Sequence, residues 1–236
     1  MAARVTYDRP MHLARTPWPD VARDELTVAI PVGSFEQHGP HLPLDTDTRI
    51  ASAVSDALTG VTVAPPIEYG ASGEHEGFAG TISLGSAALE LLLVEYGRSA
   101  CRWARRVVFV NGHGGNGPAL VKAVELLRYE GRDVAWLPCA VPGADAHAGR
   151  TETSLLLHLS PDDVAMDRAE VGNTAPIADL MPQLRAGGML AATANGVLGD
   201  PTGASAEEGC RLFDGLVERA RKAVSDWSPR PDGRLV

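Results

Sequence analysis

Short apolar runs recur along this chain, and each one empties into a polar, glycine-rich stretch. LTVAIPV at 26–32, VTVAPPI at 61–67, VVFV at 107–110 and DVAWLP at 133–138 read as strands. Between them lie longer segments of helical periodicity, from Thr48 to about Leu58, over 86–104 with Ser86 as N-cap, and over roughly 118–130. ETSLLLHLS reads as a helix stopped by Pro161, a short helix is expected near 176–185, and the last helix covers about 206–225. That last helix opens on Ser205 and Glu208, spaced as a capping box. Strands this short and apolar, alternating with helices, predict an α/β fold: three layers, α/β/α, around a mainly parallel sheet covered on both faces. No repeat or linker divides the chain, so one domain is expected over 1–236, with fraying at about 1–20 and along the tail SPRPDGRLV at 228–236.

In such a sheet, ligands collect at the carboxyl ends of the strands. Four loops leave from those ends, and they carry the chain's ionisable chemistry. The first, VGSFEQHGPHLPLDTDT, offers Glu36, His38, His41, Asp45 and Asp47. In an extended segment Glu36 and His38, two apart, point to the same side. The second offers Glu74, His75 and Glu76, the third Asn111, His113 and Asn116, and the fourth Asp145, His147 and Glu152. Of 7 histidines only His12 and His158 lie elsewhere. Each motif alone has a plainer explanation: a hydrogen-bonding loop histidine, a turn in DTDT, or a helix start at Thr151 and Glu152. Carboxylates and imidazoles arriving together in register with strand ends are what a divalent ion such as Zn, Mn or Fe requires.

Composition removes several function classes. The net charge of -9 argues against nucleic-acid or anionic-membrane partners. The three cysteines, Cys101, Cys139 and Cys210, are far apart and form no CxxC pair, which fits a reducing, cytoplasmic compartment and speaks against a thiolate metal site. The polar, proline-broken N-terminus has no signal-peptide core, and no apolar run reaches the length of a membrane span. GHGGNG at 112–117 fits the dinucleotide pattern G-x-G-x-x-G, but the next strand ends in Leu137-Pro138 rather than an acidic residue, and the pattern has no use for a histidine. Its glycines are better explained as letting the backbone pass close to a metal and its substrate. GASGE and VGSFE lack the last glycine of a serine-hydrolase elbow.

Taken together, VGSFEQHGPHLPLDTDT, NGHGGN and DAHAGRTETS resemble the creatininase (creatinine amidohydrolase) family, in order and over about residues 25–160. YGASGEHEGFAGTIS and NGVLGDPTGAS are most similar to the branch serving mycofactocin biosynthesis, a peptidase that trims the modified C-terminal dipeptide from its precursor peptide. The resemblance implies a centre of two divalent ions (Zn, Fe or Mn), no organic cofactor and a homo-oligomer, often a hexamer. It implies Glu36, His38, Asp47, His113 and Glu152 as metal ligands, with Asp47 bridging, and His147 in proton transfer. Creatininase itself has a glutamate where this chain has Gly115; the resemblance makes Glu152, in ETS, the replacement and shifts the expected substrate away from creatinine. Glu74, His75 and Asn116 are expected near the substrate, a peptide or small amide. Two other readings remain open: an amidohydrolase of creatinine or a small formamide, and a non-catalytic metal-binding subunit.

Overall fold

The computed structural model describes residues 10–21 and 25–236. Among these, five strands form one sheet: β1 (Met11–His12), β2 (Thr27–Val32), β3 (Thr62–Val63), β4 (Arg106–Asn111) and β5 (Val134–Pro138). The order is β1-β3-β2-β4-β5, and every pairing is parallel. The apolar strand positions alternate between two cores, as the two-residue period demands. Ala29, Val63, Val108, Val110 and Leu137 pack against α1 (Thr46–Ala57), α4 (Arg150–Leu159) and α6 (Ala206–Asp226). Val28, Ile30, Val107, Phe109 and Val134 pack against α2 (Gly85–Ala100) and α3 (Gly117–Tyr129). This is the expected α/β/α sandwich. Because β3 lies on one side of β2 and β4 on the other, the chain reverses its direction of travel at β2. The crevice at that reversal opens between the loops after β2 and β4.

Several expectations need correction. The second strand shrinks to Thr62–Val63 plus one bridge from Ile67 to Val32. Pro65 and Pro66 have no N–H to give a ladder. The helix expected over 86–104 begins at Gly85, which takes φ 74°, and ends at Ala100. The helix expected near 176–185 runs on as α5 (Ile177–Ala192), kinked at Gly187 and Gly188. The C-terminal tail does not splay away. Leu235 is 1% exposed in the core, its N–H reaches the Trp136 carbonyl at 2.9 Å, and the Gly233 carbonyl accepts from Trp136 N at 3.0 Å. At the other end Met11–His12 adds an edge strand beside β3, while residues 1–9 lie outside the described part. No helix among the described residues is long and apolar enough to cross a membrane.

Candidate metal centre

The loop after β2 folds back on itself. His38 bridges Pro40 and Leu42, and Glu36 N donates to the Leu44 carbonyl at 3.0 Å. This brings Glu36 and His38, both 0% exposed, against Asp47 in the first turn of α1. His113 arrives from the end of β4, and His147 and Glu152 arrive from the loop after β5 and the start of α4. Asp47 stands in the middle. Its Oδ1 lies 3.4 Å from His38 Nε2 and its Oδ2 lies 3.3 Å from His113 Nδ1. Glu36 Oε1 is 3.2 Å from the same His113 nitrogen, and Glu152 Oε2 is 4.0 Å from His38 Nε2. Among the described residues, three groups have ligand atoms within 4.8 Å of one another: Glu36–Asp47–His113, His38–His147–Glu152 and Glu36–His75–His147.

Hydrogen bonds decide which ring nitrogens are bare. His38 Nδ1 donates to the Glu36 carbonyl at 3.1 Å, leaving Nε2 turned toward Asp47 and Glu152. His113 Nε2 donates to the Ala71 carbonyl at 3.2 Å, leaving Nδ1 toward Glu36 and Asp47. Orienting contacts of this kind are what metal-ligating histidines require. Both carboxylate oxygens of Glu36 and Nε2 of His38 are buried with no hydrogen-bond partner. Buried polar atoms are rarely left this way, and here they converge on one spot that a cation would satisfy. The donor set of carboxylates and imidazoles fits a divalent ion.

The electrostatics mark the same spot. Burial works against charge on His38, but Asp47, with Glu152 and Glu36 behind it, outweighs it and raises the ring to about 9. Burial is likewise overcome at His113, where Glu36 and Asp47 hold the ring well above its usual value. Burial would raise Glu36, yet His113 brings it down to about 2. Burial lifts Glu152 to about 7 against the pull of His38. His147 is pushed well below the usual histidine range by burial and by His38 and His75. Without an ion, protons on His38 and His113 therefore hold the carboxylates together. A histidine raised on folding gives stability that is complete below about pH 6.5 and lost as pH climbs through its folded value. The metal-free protein should thus unfold more easily at pH 9 than at pH 6.5, while loaded protein should not show that drop. Thermal melts across this window, with and without chelator, check it, and a flat profile for the metal-free form counts against the pairing.

Above the ligands is a cavity of about 440 Å³. Asp47, His75, His113, His147 and Glu152 form its polar floor, and Glu36 and His38 lie beneath, fully covered. Ile177, Met181, Leu184 and Met189 of α5, with Leu198, give it an apolar wall. The short helix expected near 176–185 carries most of that wall and Arg185, but the punctuation of Pro182, Gly187 and Gly188 hides its full length, and no pattern in the sequence sets it beside the site. Glu74 and His75 do reach the cavity, as expected for residues near a substrate. Asn116 does not. It is 0% exposed and clamps loops together, taking Ala71 N at 2.8 Å and donating to the Gly33 carbonyl at 2.9 Å and Asn111 Oδ1 at 3.1 Å. Glu152 also accepts from Ala148 N at 2.6 Å, so it secures the entry to α4 while facing His38. Gly115 stands where a Cβ would crowd Ala71 O at 2.6 Å and Glu74 Oε1 at 2.7 Å, which gives Glu74 its place at the floor.

A family model described as creatininase, creatinine amidohydrolase, matches residues 14–224. A mycofactocin precursor peptide peptidase of Mycolicibacterium smegmatis is 61% identical over 218 residues, covering 89% of this chain and 88% of its own. A creatinine amidohydrolase of Pseudomonas putida is 31% identical over 244 residues, covering 89% and 92%. A solved creatininase mutant of Zn-Zn type superposes with a TM-score of 0.79 at 29% identity, covering 93% of this chain and 99% of that one.

Proposed function

Because this chain belongs to the creatininase family, we propose that it is a metal-dependent amide hydrolase working as a peptidase, releasing the modified C-terminal dipeptide of the mycofactocin precursor. The observation that carries this reading lies just beneath the cavity floor: both carboxylate oxygens of Glu36 and Nε2 of His38 are buried with no hydrogen-bond partner, inside a cluster of ligand atoms that a cation would satisfy. The much greater identity to the peptidase than to the creatinine amidohydrolase supports the peptide substrate. So does the space, since about 440 Å³ with an apolar flank suits a dipeptide-sized unit better than a small ring.

Glu36, Asp47 and His113 would hold one ion, and His38, Asp47 and Glu152 a second; Asp47 Oδ1 faces His38 and Oδ2 faces His113. When bound, such ions supply Lewis acidity toward an amide carbonyl and make water a nucleophile at neutral pH. The protein's own groups do the rest. His147 is held neutral, and its Nε2 donates to the Gln37 carbonyl at 2.8 Å. Its Nδ1 is left free at the cavity, to take the proton from water and pass it to the leaving nitrogen as the C–N bond breaks. A positioned proton carrier of this kind contributes about 10²–10⁴-fold. Glu74 and His75 face the same space and would contact the substrate backbone. The apolar wall of α5 shields the reacting bond from bulk water. Ile82, Leu84, Leu91 and Leu92 are exposed on and just before α2, which supports self-association.

A panel of modified precursor peptide, unmodified peptide, creatinine and a small formamide, run with and without chelator, tests the proposal. Release of the dipeptide should stop on chelation and return with added Zn or Mn. Turnover of creatinine or the formamide alone would make this a sister amidohydrolase, and bound metal with no hydrolysis at all a non-catalytic subunit. Glu152→Gln should lower metal content from about two ions per chain to about one and depress turnover with it. Unchanged stoichiometry would return Glu152 to its role at the Ala148 N–H.

A further inference from the structure

Gln37 lies between the ligands Glu36 and His38, is 5% exposed, and is not itself a candidate ligand. Its amide is oriented by two groups that leave no choice. Gly39 N–H can only donate, and it meets Gln37 Oε1 at 2.8 Å. The Gly196 carbonyl can only accept, and it meets Gln37 Nε2 at 3.1 Å. Gly196 has φ 78°, and a Cβ there would overlap the Gln37 amide, so the side chain is seated in a fitted cradle. With the amide so fixed, Nε2 lies 2.9 Å from His75 Nδ1 and 3.1 Å from His147 Nε2; the latter carries the proton it gives to the Gln37 carbonyl and cannot accept, so the remaining hydrogen goes to His75 Nδ1. An amino group can only donate, so that ring nitrogen is bare and the proton of neutral His75 sits on Nε2, 3.4 Å from Glu36 Oε1. The backbone carbonyl of the same residue accepts from His147 Nε2 at 2.8 Å, which leaves Nδ1 bare.

We propose that Gln37 is the positioning residue that divides the work of the two cavity histidines, turning the N–H of His75 toward Glu36 and leaving His147 the ring with a free nitrogen at the reacting centre. It follows that Glu36–His75–His147, although its atoms are close enough, is not a metal site. The inference rests on the reading of the centre as a metal site, but the proton positions can be read whether or not any amide is hydrolysed.

In zinc-loaded protein carrying ¹⁵N-histidine, two-bond ¹H–¹⁵N spectra should place the His75 proton on Nε2 and the His147 proton on Nε2. Gln37→Glu keeps the shape but removes the donor; the His75 proton should then move to Nδ1, with kcat lower by about 10–100-fold. His75→Gln should retain the wild-type number of bound ions by elemental analysis. A bare Nε2 on His75 in the wild type, an unmoved proton in Gln37→Glu, or the loss of an ion in His75→Gln would each overturn the assignment. If Gln37→Glu fails to fold, the wild-type spectrum and the His75→Gln ion count decide the matter alone.

Discussion

Asp47→Ala is expected to empty the site and bring turnover down to background, a loss on the order of 10³-fold or more in kcat/KM. Both halves of the centre meet in that one carboxylate, Oδ1 toward His38 and Oδ2 toward His113. Ser34 Oγ donates to Oδ2 at 2.6 Å and holds it in place. Among the described residues, no other side chain makes a close contact with both bare ring nitrogens. The same substitution strips the metal-free form of the charge that balances two raised histidines, and uncompensated buried charge costs about 3–5 kcal/mol. Elemental analysis, kinetics and a melt on the same preparation separate the two effects. Full ion content with wild-type turnover would falsify the bridging role.

Gly112→Ala is the second large effect, and it removes no ligand. Gly112 follows β4, donates to the Val32 carbonyl at 2.8 Å, and runs so close to α1 that an added Cβ would overlap the Asp47 carbonyl oxygen and sit 2.9 Å from its carbon. Backbone cannot yield as a flexible side chain does. The methyl should drive the first turn of α1 out of position, at about 1–3 kcal/mol of stability, and lower ion affinity and turnover by at least about 10-fold. Gly114→Ala is the matched comparison, because a Cβ there meets nothing within 4 Å. If both variants behaved alike, the close approach of Gly112 would not be what the site depends on. The glycines of GHGGNG are expected from the sequence to let the backbone pass close to a metal and its substrate; at Gly112 the close approach is to the backbone of Asp47 instead.

Most of the sheet and the ligand-bearing loops were readable from the chain because burial on both faces writes itself as unbroken apolar runs, and β2, β4 and β5 have that signature. The short edges had none. Met11–His12 is two residues long and half-buried, so no pattern marks it. The tail reads as polar and proline-broken, yet Leu235 enters the core and backbone bonds between Gly233, Leu235 and Trp136 hold it; a single apolar residue has no period. Asn116 resembles a substrate contact by its neighbours in NGHGGN, whereas its amide is taken up by two loop backbones and the Asn111 side chain. Gln37 was missed for a different reason. An extended strand would place it opposite Glu36 and His38, but the loop turns at His38 and folds Gln37 in among the same histidines.

The span of the proposed ligands, from Glu36 to Glu152, has a bearing on how the protein matures. Glu36, Asp47 and His113 all leave the ribosome before Glu152 does, but a domain folds as a unit. Ile50 and Val54 of α1 share one core with Leu137 of β5 and with Leu155 and Leu156 of α4. A nascent chain that stops before α4 therefore lacks part of the packing that seats α1 and, with it, Asp47.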